Sequence, residues 1–178
     1  MTVRTTNQTK TRASIVLRRV AEEFVALLSQ DLEDQLTSGV LFGSVARGEA
    51  NRMSDIDLLI VVRAENEDEL IRLREQITDL CLDFEESPDV LAINDKGFPA
   101  MIRQIVYAEA EALRTHLFYL DLVVDGQIMF DRDEFIATKL AQVRQRMEDL
   151  GTRREYLSRK HWYWLLKPGM QPGEIIEL

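Results

Sequence analysis

Apolar residues in the first fifth of the chain recur at steps of three and four. Leu17, Val20, Phe24, Leu28, Leu32 and Leu36 would share one side of a helix, which predicts a helix over Ile15–Leu36. Gly39–Phe42 is a short apolar run bounded by glycines, the pattern of a buried strand. Asp55–Val62 has a polar entry and a continuous apolar body, which predicts a second and stronger strand. Leu70, Leu73, Ile77, Leu80 and Phe84 again step by three and four, giving a helix over Glu65–Phe84. Pro88–Ile93 reads as a third strand, with Pro88 at its start where a missing N–H is tolerated.

Beyond Asn94–Gly97 the pattern is mainly helical to about Val124. Gly126–Phe130 reads as a short strand, and Glu134–Leu150 as an amphipathic helix closed by Gly151. His161–Leu166 reads as a last strand before the Pro- and Gly-punctuated end. Strands and helices alternate early, so the expected class is α/β, an α+β mixed sheet with an N-terminal helix and a largely helical C-terminal extension. The division this implies is a flexible tail over 1–12, a core over 13–97 and an extension packed on it over 98–178.

The 178 residues are 46% hydrophobic and 30% charged, which excludes a disordered, collagenous or disulfide-framed chain. Cys81 is the lone cysteine, and no apolar run reaches the ~20 residues of a membrane span, so a soluble cytoplasmic protein is expected. The net charge of −9 is unevenly spread. Residues 1–21 carry five basic and no acidic side chains, 22–143 carry ten basic against 26 acidic, and 144–167 carry seven basic against three acidic. An acidic majority disfavours long duplex nucleic acid, whose phosphates need clustered Lys and Arg. A phosphorylated small molecule held through a divalent cation remains compatible with it.

The chemistry concentrates in Gly43–Asp57. Asp55 and Asp57 lie two apart on a strand, so both carboxylates leave the same face. Such a pair suits Mg²⁺, which takes one or two carboxylates and keeps positions for substrate phosphates. Gly43 at the preceding bend permits close backbone approach to a ligand, Ser44 adds a hydroxyl, and the following turn presents free N–H groups to phosphate. Arg47 can steady this loop or contact phosphate. Two-metal phosphoryl chemistry needs a further carboxylate. Asp89 is the candidate because it opens the expected third strand, with Asp83, Glu85 and Glu86 as rivals and Asp95 too far along.

Gly43-Ser44, ten residues, then Asp55-x-Asp57, within Gly-Ser-x-Ala-Arg-Gly and Ser-Asp-Ile-Asp-Leu, resembles the DNA polymerase β-type nucleotidyltransferase superfamily, in particular its small stand-alone prokaryotic members, the minimal nucleotidyltransferases. The resemblance spans roughly Gly39 to Ile93. It implies a mixed sheet flanked by helices and a triphosphate-binding turn at Gly43 and Ser44. It further implies two Mg²⁺ ions on Asp55, Asp57 and an acid on the third strand, matched by Asp89. The implied reaction transfers a nucleoside monophosphate, AMP from ATP, to a hydroxyl with release of pyrophosphate.

Some minimal nucleotidyltransferases are antitoxins that silence a small helical ribonuclease of the HEPN group by adding AMP to a tyrosine, so such a protein is a candidate partner. A binding module that only masks its partner, and a small-molecule resistance enzyme, are the alternatives. His116 and His161 lack ligand-spaced neighbours, so zinc is not expected. Trp162, Tyr163 and Trp164 read as packing for a C-terminal strand, and Arg144, Arg146, Arg153, Arg154, Arg159 and Lys160 as a solvated face or phosphate patch. Oligomeric state is open at this level.

Overall fold

The structure is a computed structural model that describes residues 10–158, 161–171 and 173–176. Helix α1 (Arg12–Asp31) leads through a 3₁₀ turn at Glu33–Gln35 into β1 (Leu36–Phe42). The single turn α2 (Gly43–Ala46) and a loop connect to β2 (Ile56–Val62). Helices α3 (Glu67–Glu85) and α4 (Pro88–Asp95) then precede β3 (Ile102–Ala108). After these come α5 (Glu109–Ala112), α6 (Tyr119–Asp125), β4 (Gln127–Asp131), α7 (Phe135–Leu150) and the strands β5 (Arg153–Ser158) and β6 (His161–Leu165).

One mixed sheet of order β3-β2-β1-β4 organises the chain. β1 pairs antiparallel with β2 and with β4, whereas β2 and β3 run parallel. A parallel pair needs a long crossover, and α3 with α4 supplies it. Alternation along β2 divides its side chains between two cores. Ile56, Leu58, Ile60 and Val62 face α1 and α3, together with Phe24, Leu28, Leu73 and Ile77. Leu59 and Val61 face the other way, toward Tyr119, Leu120, Ile136, Leu140 and Val143 of α6 and α7. The expected mixed α/β class therefore holds.

Helix starts follow their capping chemistry. The Thr11 hydroxyl accepts from the Ser14 N–H at 3.1 Å, and the Asn66 side chain accepts from the Glu69 N–H at 3.0 Å. Glu67, Asp68 and Glu69 in the first turn of α3 suit its positive end. Gly151 ends α7 with a positive φ of 69°, as the periodicity predicts.

Three elements differ from the sequence expectation. Pro88–Ile93 belongs to a helix, α4, not to a strand. Its proline occupies the helix start, where the lost N–H would be unpaired anyway, and the four-residue apolar run Val90–Ile93 does not distinguish strand from helix. The third strand lies instead at Ile102–Ala108, inside the stretch that reads as helical, and its β-branched and aromatic residues are the local signal for it. Thus β3 and β4 both lie beyond Gly97 yet belong to the main sheet. Finally, β6 pairs antiparallel with β5, which the sequence pattern does not mark as a strand. Most of the tail expected over 1–12 lies outside the described residues, as do Arg159 and Lys160; α1 already begins at Arg12.

One point on the β3 edge is capped from α3. The Arg74 guanidinium forks onto the Val106 carbonyl, with Nε at 3.2 Å and a terminal nitrogen at 3.1 Å, and also reaches the Glu111 carboxylate at 2.9 Å.

Candidate functional site

Where β1 ends, the chain must reverse tightly against β2. Gly43 takes φ 72°, and a Cβ there would run into the Asp57 carboxylate, so only glycine lets the turn lie against that side chain. The turn is closed by the Arg47 N–H on the Gly43 carbonyl at 3.2 Å and the Glu49 N–H on the Ser44 carbonyl at 3.0 Å. Two other elements hold it. Gln127 of β4 donates to the Ala46 carbonyl at 2.6 Å. At the start of α1, the Thr11 hydroxyl donates to the Ala50 carbonyl at 2.7 Å, and the Ala50 N–H donates to the Ser14 hydroxyl at 2.9 Å.

Asp57 sits at the second position of β2, between Phe42 on β1 and Arg103 on β3. Its odd-numbered neighbours Leu59 and Val61 belong to the α6–α7 core, so Asp57 is the polar end of that face. Burial raises its carboxyl above the ordinary value, the nearby Asp55 charge raises it further, and Arg103 and Arg47 pull it back. Asp55 lies just before the strand. Its Oδ2 pairs with Nε of Arg103 at 2.7 Å. The β2 entry is fixed by the Ile56 N–H on the Met101 carbonyl at 2.8 Å.

Gly43, Ser44, Asp55 and Asp57 thus meet at one end of the sheet, where the sequence spacing puts them. Arg47 joins them from the turn, with Nε 3.2 Å from Glu49 Oε2 and its guanidinium 4.9 Å from the Trp162 ring centre. Asp89 is elsewhere in the chain's architecture. It is exposed in the first turn of α4, off the sheet, so the strand position proposed to bring it to the pair does not exist. Of its rivals, Glu85 accepts the Ile102 N–H at 2.6 Å and is used in steering the chain into β3, while Asp83 and Glu86 are exposed. On the strand parallel to β2, the residue beside Asp57 is Arg103. Arg103 is the site residue that the sequence pattern misses. Reading Ile102–Ala108 as a strand would have placed it.

The donor set fits one hard divalent cation better than two. Two adjacent carboxylates suffice for a single Mg²⁺ that also takes phosphate oxygens. Among the described residues, no group of three His, Cys, Asp or Glu side chains could enclose a metal, and the neighbouring sheet position carries a positive charge.

The C-terminal hairpin approaches the turn through its aromatic face. Arg154 lies 4.9 Å from the ring centres of both Trp162 and Trp164, and it pairs with Asp121 and Asp125 of α6 at 2.6 Å each. Its side chain is only 8% exposed, so it is a buried clamp rather than part of a solvated face. His116 stacks on Tyr107 at 4.8 Å and neighbours Phe118 at 5.8 Å, a packing role. No helix among the described residues is long and apolar enough to cross a membrane.

A family model described as the nucleotidyltransferase domain matches residues 17–111, just over half of the 178. A Methanocaldococcus jannaschii protein named "putative protein adenylyltransferase" is 42% identical over 48 residues, which are 27% of this chain and 33% of that protein. The match therefore spans about a third of the curated relative's length. A solved structure of a "putative nucleotidyltransferase" from Sulfolobus solfataricus is 20% identical, with 74% of this chain and 96% of that one covered and a TM-score of 0.45. A chain from the Shewanella oneidensis complex of a tri-AMPylated HEPN toxin with an MNT antitoxin is 14% identical, with 75% and 92% covered and a TM-score of 0.41.

Proposed function

Because this chain belongs to the nucleotidyltransferase domain family, we propose that it transfers a nucleoside monophosphate, AMP from ATP, to a hydroxyl of a partner protein. The observation that carries this reading is the meeting of the Gly43-Ser44 turn with the Asp55 and Asp57 carboxylates at one sheet end, with Gly43 held against Asp57. Gly43 and Ser44 receive the triphosphate, Arg47 borders it, and Asp55 and Asp57 hold a single Mg²⁺. That cation supplies charge neutralisation for the phosphates.

The acceptor oxygen bonds to the α-phosphorus as the bond from that phosphorus to the bridging oxygen breaks. Pyrophosphate departs with the electron pair, and the hydroxyl proton passes to solvent. With no third carboxylate gathered beside the pair among the described residues to take that proton, an acceptor that ionises readily is favoured. A tyrosine phenol, ordinarily near 10, meets this need better than an aliphatic hydroxyl. The HEPN type of ribonuclease is a partner compatible with the motif. The region after Gly97, with its hairpin beside Arg47, is where acceptor choice would reside.

The test is incubation of the protein with α-labelled ATP, Mg²⁺ and co-purified partner proteins. Transfer of label by the wild type, reduced at least about a hundredfold by Asp55→Asn with Asp57→Asn, supports the reading. Unlabelled partners, or undiminished labelling by the double variant, would sink it. The position of Arg103 keeps a second reading in play, nucleotide-dependent masking of a partner without transfer. Neutralisation of the partner by the double variant would favour masking.

A further inference from the structure

A site built around two carboxylates and a triphosphate has an electrostatic problem in both of its states. Without ligand, Asp55 and Asp57 repel each other at a half-buried strand end; with ATP, four phosphate charges must be met by whatever positive groups remain. Arg103 stands where both problems can be addressed. The parallel register puts it beside Asp57, on the same sheet face as Ile105 and Tyr107 of the α6–α7 core. From there its Nε reaches Asp55 Oδ2 at 2.7 Å.

The two guanidinium groups flanking the carboxylates are held differently. Arg47 is tied to Glu49 and lies over Trp162, with its side chain 21% exposed. Arg103 is 68% exposed, on a long flexible stem, and its partner Asp55 is 27% exposed. An ion pair that open to water is worth little and exchanges readily. The pair can therefore be replaced without disturbing the sheet, because the strand itself is held by its backbone register and by Ile102 and Ile105.

We infer that Arg103 is a triphosphate-binding residue that stands in for the metal ion at Asp55 while the site is empty and turns to the β- and γ-phosphates when ATP and its cation enter. This deepens the nucleotidyl-transfer reading and rests on it. The charges balance in the empty site and are partly met in the filled one. Asp55 and Asp57 against Arg47 and Arg103 sum to zero without ligand; with one divalent cation balancing the carboxylates, Arg103 is released to offset one of the phosphate charges. Arg103 thus supplies part of the charge that a second cation would otherwise carry, in a site where two carboxylates are gathered among the described residues.

The proposal separates from a purely structural role by the sign of two effects. If Arg103 competes with a cation for Asp55, then Arg103→Ala, in the full-length chain, binds Mn²⁺ alone several-fold more tightly by electron paramagnetic resonance. The same variant binds ATP with Mg²⁺ roughly tenfold more weakly by calorimetry, as loss of a charge-assisted hydrogen bond would dictate, while AMP binding is unchanged. Arg103→Lys retains ATP binding to within about threefold. Weaker or unchanged Mn²⁺ binding by Arg103→Ala would overturn the inference and leave nucleotide binding standing, as would parallel losses for ATP and AMP. A wild-type protein that binds no ATP at millimolar concentration with Mg²⁺ would overturn the nucleotidyl-transfer reading itself, and the inference with it.

Discussion

The two faces of the sheet handle the same strands differently. Toward α1 and α3, β2 contributes Ile56, Leu58, Ile60 and Val62, and the face is apolar from end to end. Toward α6 and α7, the intervening positions run Asp57, Leu59, Val61, so the apolar face ends in a carboxylate at the open sheet end. One face is closed over its whole length, and the other stops short to leave room for chemistry. Stability should therefore be concentrated on the first face and function on the rim of the second.

The most severe test of that division is Phe24→Ala. Phe24 is fully buried on the closed face against Phe84, and its loss should cost about 3–5 kcal/mol in urea unfolding. A cost below about 1 kcal/mol would break the contrast. Arg154→Ala addresses the hairpin on the other face. It strands Asp121 and Asp125, and because those partners are partly exposed the cost should sit near roughly 3 kcal/mol, the low end for breaking a buried pair.

Tyr119→Phe is a milder probe of the α6–α7 core, since it removes only the hydroxyl that donates to the Ala112 carbonyl at 2.8 Å. The expected loss is about 1 kcal/mol.

Asp57→Asn should remove activity without lowering stability. Because burial raises the Asp57 carboxyl, the folded protein binds that proton more tightly than the unfolded chain. Its favourable share is complete below the ordinary value near 3.8 and is lost as pH rises through the folded value. Without divalent cations, Asp57→Asn should match or exceed the wild-type melting temperature at neutral pH, with the difference shrinking toward pH 3. A lower melting temperature at neutral pH would make Asp57 a structural residue.

Cys81, on the buried face of α3, offers the smallest signal. Burial first and Glu85 second push its thiol up to about 12, so it stays protonated at pH 7–9. Alkylation by iodoacetamide should be undetectable in the native protein over an hour and complete in urea.

The contrast also accounts for what the sequence could convey. The closed face is written in long helical periods: α3 appears there within two residues of its observed limits, whereas the period that marks α1 runs on to Leu36, which the structure places in β1. The turn and the Asp55–Asp57 pair are legible because they are contiguous and their chemistry depends on fixed spacing. Arg103 is not, because its place depends on the register of a parallel strand reached by a crossover through two helices. Pro88 and Asp89 give the same local signal for a strand entry and for a helix start, and only the packing of α4 separates them. Tertiary context likewise turns Arg154 from an apparent surface charge into a buried clamp.

Arg74, described above as a fork on the Val106 carbonyl, carries a consequence for assembly. β3 is an outer strand of the sheet, and such strands invite another chain to add itself by backbone hydrogen bonds. An incoming strand would have to displace the guanidinium and break its contact with Glu111 before it could pair with the Val106 carbonyl. Pairing at the middle of β3 is in this way penalised, which weighs against growth of this sheet into a continuous inter-chain one.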